Sequence, residues 1–169
     1  MLETMVSGRK FALTADTHDN LVDWPAVLER LKAGWGGVDA ILHCGDISSE
    51  AALDGLSGAA PVFATRSEGD PPAAPPRLSD GPRVLVADGV RIGLVFSLPE
   101  AAASAEGAAR LFGGPVAACV YGGTHAAEVS EREGVLFVNP GSPSLAKTRT
   151  TAVLTLDGGR ASAQIIELA

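Results

Sequence analysis

Phe11-Ala12-Leu13-Thr14-Ala15-Asp16-Thr17-His18-Asp19-Asn20 is an apolar run that breaks off into an acid, a histidine and an asparagine. A short buried strand that delivers Asp and His at its carboxyl end is a common way for an open α/β sheet to build a site. Asp16 and His18 stand two apart, so an extended backbone would aim both to one side, one as a hard oxygen donor and one as an imidazole donor. Together they make half of a metal site. On these residues alone the stretch reads equally as a polar turn whose Asp and Asn cap the next helix.

Outward from that strand, Leu21 to Ala33 predicts a crossover helix with Trp24, Val27, Leu28 and Leu31 on one face, Pro25 in the first turn and Gly34 after the end. Val38 to His43 predicts the next strand, closed by Cys44-Gly45-Asp46. Ser48 or Ser49 then caps a helix to about Leu56, and Pro61 to Thr65 predicts a third strand of a parallel sheet. Gly69 to Pro82, with Pro71, Pro72, Pro75, Pro76 and Pro82, reads as a surface loop. Arg83 to Ala87 and Val90 to Phe96 form a hairpin around Asp88-Gly89. A helix follows over Pro99 to Phe112, weakened at Gly107, and then a strand over Val116 to Tyr121. The remainder reads as strands at Ala127 to Ser130, Val135 to Val138, Thr151 to Leu156 and Ala161 to Leu168. The expected fold is an α/β/β/α sandwich of two mixed sheets flanked by helices, in one domain over residues 1–169.

The 169 residues carry 20 acidic and 13 basic side chains, a net charge of -7, with no run of Lys or Arg. Nucleic acid and anionic membranes are therefore poor partners. Met1 to Lys10 has no apolar leader core, and no segment approaches the roughly 20 apolar residues of a membrane span, so a cytoplasmic protein is expected. Cys44 and Cys119 sit in apolar strand-like runs and read as buried reduced thiols.

Polar residues recur at the strand ends: Asp16 and His18, Asp46, Glu68 and Asp70, Gly122-Gly123-Thr124-His125, and Asn139-Pro140-Gly141-Ser142. Such ends converge on one rim of an open sheet. With His43-Cys44-Gly45-Asp46 and the stretch Val62 to Pro72, these blocks resemble, over nearly the whole chain, the small calcineurin-like metallophosphoesterases of the bacterial and archaeal phosphodiesterase type. The resemblance implies a metal-dependent hydrolysis of phosphate esters, in which two adjacent ions clamp the ester and activate a water. It assigns Asp16, His18, the bridging Asp46 and His125 to the first ion. The private ligands of the second ion fall on Glu68, Phe96 and Gly123, of which two carry no donor side chain.

One divalent ion per chain is the resulting expectation, and the pattern does not choose among Mn, Zn, Fe, Ni and Mg. Glu68 is left with three roles: metal ligand, base toward the water, or loop acid beside Arg66. Asp70 stands as a proton carrier or an exposed turn acid, and His43 as a structural residue with an outer contact to the ligands as the alternative. Asn139 and Ser142 read as fixing a tight loop, Lys147 as a solvated lysine, and Trp24 and Phe96 as core or pocket lining. One ion with three carboxylates leaves a local charge of about -1, against about +2 for two ions with two carboxylates, so a phosphodiester would be held weakly. The expected function is a phosphoesterase acting on a small phosphate ester through a single-metal water. The alternative is a binding or scaffold protein of the same fold, similar to the retromer subunit that keeps it with an impaired site.

Overall fold

Alternating apolar runs and turn residues set the architecture of the computed structural model, which describes residues 1–169. The strands are β1 (Leu2–Met5), β2 (Lys10–Thr14), β3 (Ala40–His43), β4 (Val62–Arg66), β5 (Leu78–Asp80), β6 (Arg83–Ala87), β7 (Val90–Leu94), β8 (Ala118–Val120), β9 (Glu128–Arg132), β10 (Val135–Asn139), β11 (Thr150–Asp157) and β12 (Arg160–Glu167). The α-helices are α1 (Trp24–Trp35), α2 (Glu50–Ser57) and α3 (Ala105–Leu111). One sheet has the order β12-β11-β2-β3-β4-β5 and the other β1-β6-β7-β8-β10-β9. Both are mixed: β2 to β5 run parallel while β11 and β12 return antiparallel, and β7, β8 and β10 are parallel neighbours beside the antiparallel β6 and β9.

Three apolar layers account for the stacking. Phe11, Leu13 and Leu42 of one sheet meet Leu85, Ile92, Val120 and Val138 of the other in the central core. The opposite faces of β2, β3 and β4 pack on Val27, Leu31 and Trp35 of α1 and Leu53 and Leu56 of α2. Val84, Cys119 and Phe137 pack on Ala108 and Phe112 at α3. Strands buried on both faces lose their alternation, which is why β2 and β3 read as continuous apolar runs. Cys44 and Cys119 are buried free thiols, and burial pushes both pKa values up, that of Cys119 to about 12. No helix is long and apolar enough to cross a membrane.

Four expectations change. α1 begins at Trp24 rather than Leu21, because the Asp23 carboxylate accepts the Ala26 N–H, and it runs on to a buried Trp35. The helix expected over Pro99 to Phe112 is two pieces, a 3₁₀ turn Glu100–Ala102 and α3, since the Ser104 hydroxyl accepts the Gly107 N–H and starts a new helix. Gly107 is required there, because a Cβ would collide with the Ala101 carbonyl. The proline-rich loop contains β5, which pairs with β4 around a buried Leu78. β1 carries a mostly exposed pattern with no alternation to read, yet pairs with β6.

Thr151 lies beneath α1, taking the Trp35 indole N–H at 2.8 Å and donating to the Leu13 carbonyl at 2.7 Å. Thr151→Val keeps the shape and strands the buried indole, so urea unfolding should show a loss of about 1–3 kcal/mol with an unchanged m-value.

Candidate metal centre

The parallel strands β2, β3 and β4 end on one rim, and the loops that leave β2 and β3 carry Asp16, His18 and Asp46. The loop after β8 adds His125. One ligand atom from each of the four lies within 4.8 Å of all the others, so the group could hold a metal ion. His18 Nε2 is 3.4 Å from Asp46 Oδ2 and 3.4 Å from His125 Nε2, and His125 Nε2 is 3.7 Å from Asp16 Oδ1. The expectation of an extended backbone at Asp16 and His18 is corrected: their φ angles are 55° and 43°, and those of Asp46 and His125 are 57° and 64°. All four sit in the left-handed region, which Asp and His tolerate better than most residues but at a cost.

Hydrogen bonds hold these turns. The Asp16 N–H donates to the Gly45 carbonyl, and the His18 N–H to that of Asp46. Ser142 Oγ donates to the Asp16 carbonyl at 2.8 Å and Ser144 Oγ to that of Thr17 at 2.8 Å. Asn139 accepts the Gly141 N–H and donates to Thr124 Oγ1 beside His125, so Asn139 and Ser142 brace loops. His43 is fully buried, and desolvation lowers its pKa to about 4, leaving it neutral. Its Nδ1 accepts the Gly45 N–H, which leaves Nε2 to donate to Thr17 Oγ1 at 3.0 Å. His43 thus ties the two ligand loops together from behind.

Asp16 is the electrostatic centre. Its carboxylate is fully buried; Oδ2 accepts the Gly123 N–H at 3.0 Å, while Oδ1 has no hydrogen-bond partner. Burial, then the neighbouring Asp46 carboxyl, pushes its pKa up to about 7. A buried carboxylate oxygen without a donor, faced by a second acid and two imidazoles, suits a cation.

Two expected site residues stand elsewhere. Glu68 is exposed in the turn after β4, makes no ion pair or hydrogen bond, and does not join the four-residue group. Asp70 is buried rather than an exposed turn acid: Oδ1 accepts the Ile47 and Ser48 N–H groups, and Oδ2 accepts the Ser67 N–H. With those three bonds made, it braces the loop that carries Asp46. The unforeseen residue is Ser67, whose hydroxyl donates to Asp46 Oδ1 at 2.5 Å. A lone serine after a strand gives no signal in sequence. Phe96 packs against the same place, where a Cβ at Gly45 would lie 2.6 Å from its ring and one at Gly123 3.5 Å away.

Comparison with known proteins bears on the fold and the family. A probable metallophosphoesterase of Methanocaldococcus jannaschii is 27% identical over 158 residues, covering 90% of this chain and 76% of its own length. An archaeal phosphodiesterase structure superposes with a TM-score of 0.70 at 21% identity, covering 92% of this chain and 99% of its own. Vps29 of Chaetomium thermophilum gives 0.73 at 18% identity, covering 95% and 97%. The calcineurin-like phosphoesterase superfamily domain matches residues 10–159, a span that holds both sheets' centres and all four clustered residues, and the chain belongs to that superfamily.

Proposed function

We propose that the protein is a phosphoesterase that hydrolyses phosphodiesters at a single divalent ion held by Asp16, His18, Asp46 and His125. The observation that carries this reading is the buried, unpartnered Asp16 Oδ1 inside a four-donor group. An ion there would polarise a phosphoryl oxygen and acidify a water. Asp16 and Asp46 neutralise it, His18 and His125 complete the set, and Ser67 and Gly123 hold the two carboxylates in place. With Glu68 outside the group, the local charge is near neutral rather than negative, which removes one obstacle to an anionic substrate. Neither Glu68 nor Asp70 is positioned as the base.

Ser67 and Phe96 favour one ion over two, because the hydroxyl takes the Asp46 oxygen turned away from His18 and the ring takes the adjoining space. The same filling favours a second reading, a binding protein that uses the metal to hold its surface loops. Metal analysis of protein purified without chelator, combined with turnover of an aryl phosphodiester, separates the two. One ion with metal-dependent turnover lost in His125→Ala supports hydrolysis. One ion without turnover supports the binding protein, and two ions at full occupancy would overturn the one-metal site.

The Asp16 proton gives the pH dependence its sign. A cation must displace that proton, so metal affinity should fall by up to about tenfold per unit as pH drops below about 7. In metal-free protein the raised pKa means that the favourable protonated state is present at low pH and lost as pH rises through about 7. Chelator should therefore lower the melting temperature more at pH 8 than at pH 5.5, and an equal effect at both would contradict the assignment. Asp70→Asn tests the brace: it should cost about 1.5–3 kcal/mol in denaturant unfolding, since charge-assisted bonds are lost and an NH₂ group meets donors. A catalytic effect at unchanged stability would restore Asp70 as a proton carrier.

A further inference from the structure

Most arginines of this chain are committed. Arg9, Arg66, Arg77, Arg91, Arg110 and Arg132 each pair with a carboxylate, and Arg83 is buried with its guanidinium on the Ala64 and Arg77 carbonyls. Arg160, at the start of β12, has no carboxylate partner and lies at a different cavity; Arg30 and Arg149 likewise have none, although acids outnumber bases in the sequence. Both line one cavity of about 300 Å³ at the start of α1, where Val22, Val27 and Ser144 form part of the wall. Asp23 is the only acid lining it, and its carboxylate caps the Ala26 N–H and pairs with neither arginine.

Arg30 and Arg149 put two cations on one concave, partly apolar wall, and an anion held there would be attracted to both. Each guanidinium presents a planar fork of donors that matches two oxygens of a tetrahedral anion. The volume is at the small end of ligand sites. None of the four clustered residues lines the cavity, but Ser144 does, and its hydroxyl holds the Thr17 carbonyl between Asp16 and His18. The cavity is therefore separate from the metal centre and backs onto the loop that carries it.

We infer that this cavity is an anion site that takes a small phosphate dianion between Arg30 and Arg149. The inference is independent of catalysis at the metal centre. Inorganic phosphate titrated calorimetrically into the full chain, as purified, provides the test, with His125→Ala as a parallel background in which binding at the metal centre is removed. A saturable component should persist in His125→Ala and weaken at least about tenfold in Arg30→Gln and in Arg149→Gln, each of which loses charge-assisted bonds. Arg149→Glu, a reversal at an exposed side chain, should abolish it without moving the melting temperature. Lys147→Gln, outside the cavity, should leave it unchanged. Disappearance of all phosphate binding in His125→Ala, or an isotherm unaltered by Arg149→Glu in folded protein, would overturn the site.

Discussion

Left-handed backbone at Asp16, His18, Asp46 and His125 is the constraint on which the rest of the molecule is arranged. Each such residue costs roughly 1–2 kcal/mol relative to ordinary backbone, and it persists only where its surroundings over-determine it. Here they do. Parallel pairing of β2 with β3 places the two ligand loops side by side, and their backbones then bond to each other through Asp16 to Gly45 and His18 to Asp46. The serines of the loop after β10 close on the Asp16 and Thr17 carbonyls from the other side, and His43 fills the gap between the loops. Of the remaining non-glycine residues with positive φ, Asp88 and Glu133 belong to tight hairpin turns, where that conformation is routine. Ser48 is the other, and its own N–H, with that of Ile47, is held by Asp70 Oδ1 on the Asp46 loop.

That backbone is tolerated for what it does to the side chains. It turns four donors from three separate loops toward a common point, with Asp16 wholly buried behind the more open His18, Asp46 and His125. The fold thereby keeps a carboxyl that holds its proton up to about neutral pH and that a positive partner would help to ionise. Arg83 offers a contrast: it too is fully buried without an acid, but its guanidinium is met by two carbonyls and the Thr4 hydroxyl, with the Phe63 ring nearby. Desolvation lowers its pKa only to about 10, so it stays a cation and joins strands of the two sheets. Only Nε of Arg83 is left without a partner, whereas the unpartnered atom of Asp16 is a carboxylate oxygen faced by a second acid.

The sandwich was legible because its signals are local: doubly buried strands as apolar runs, Asp88-Gly89 as a hairpin, and polar blocks at strand ends. The four clustered residues were legible through the resemblance of those blocks to the calcineurin-like metallophosphoesterases. β1 and β5 were not, since each is short and takes its strand state from a neighbour rather than from its own pattern. Glu68 and Asp70 illustrate the harder limit. Two residues apart in one turn, they look alike in sequence, yet one is exposed and the other is buried among donors, and only the path of the chain around Gly69, at φ 89°, separates them.

The same limit applies to the space beside Asp46. The family resemblance implies two missing donors at Phe96 and Gly123, but it does not say what fills the space there. The Phe96 ring lies so close to Gly45, itself at φ 112°, that no side chain fits there, and it also approaches Gly123 at φ 89°. Ser67 meanwhile donates its hydroxyl to Asp46 Oδ1. Phe96 and Ser67 thus fill the volume and satisfy the charge together. Replacing either one alone leaves the other in place, so the two are coupled and their effects do not add. Gly45, Phe96 and Ser67 thus form one packed unit beside Asp46, in which no member can be enlarged without moving another.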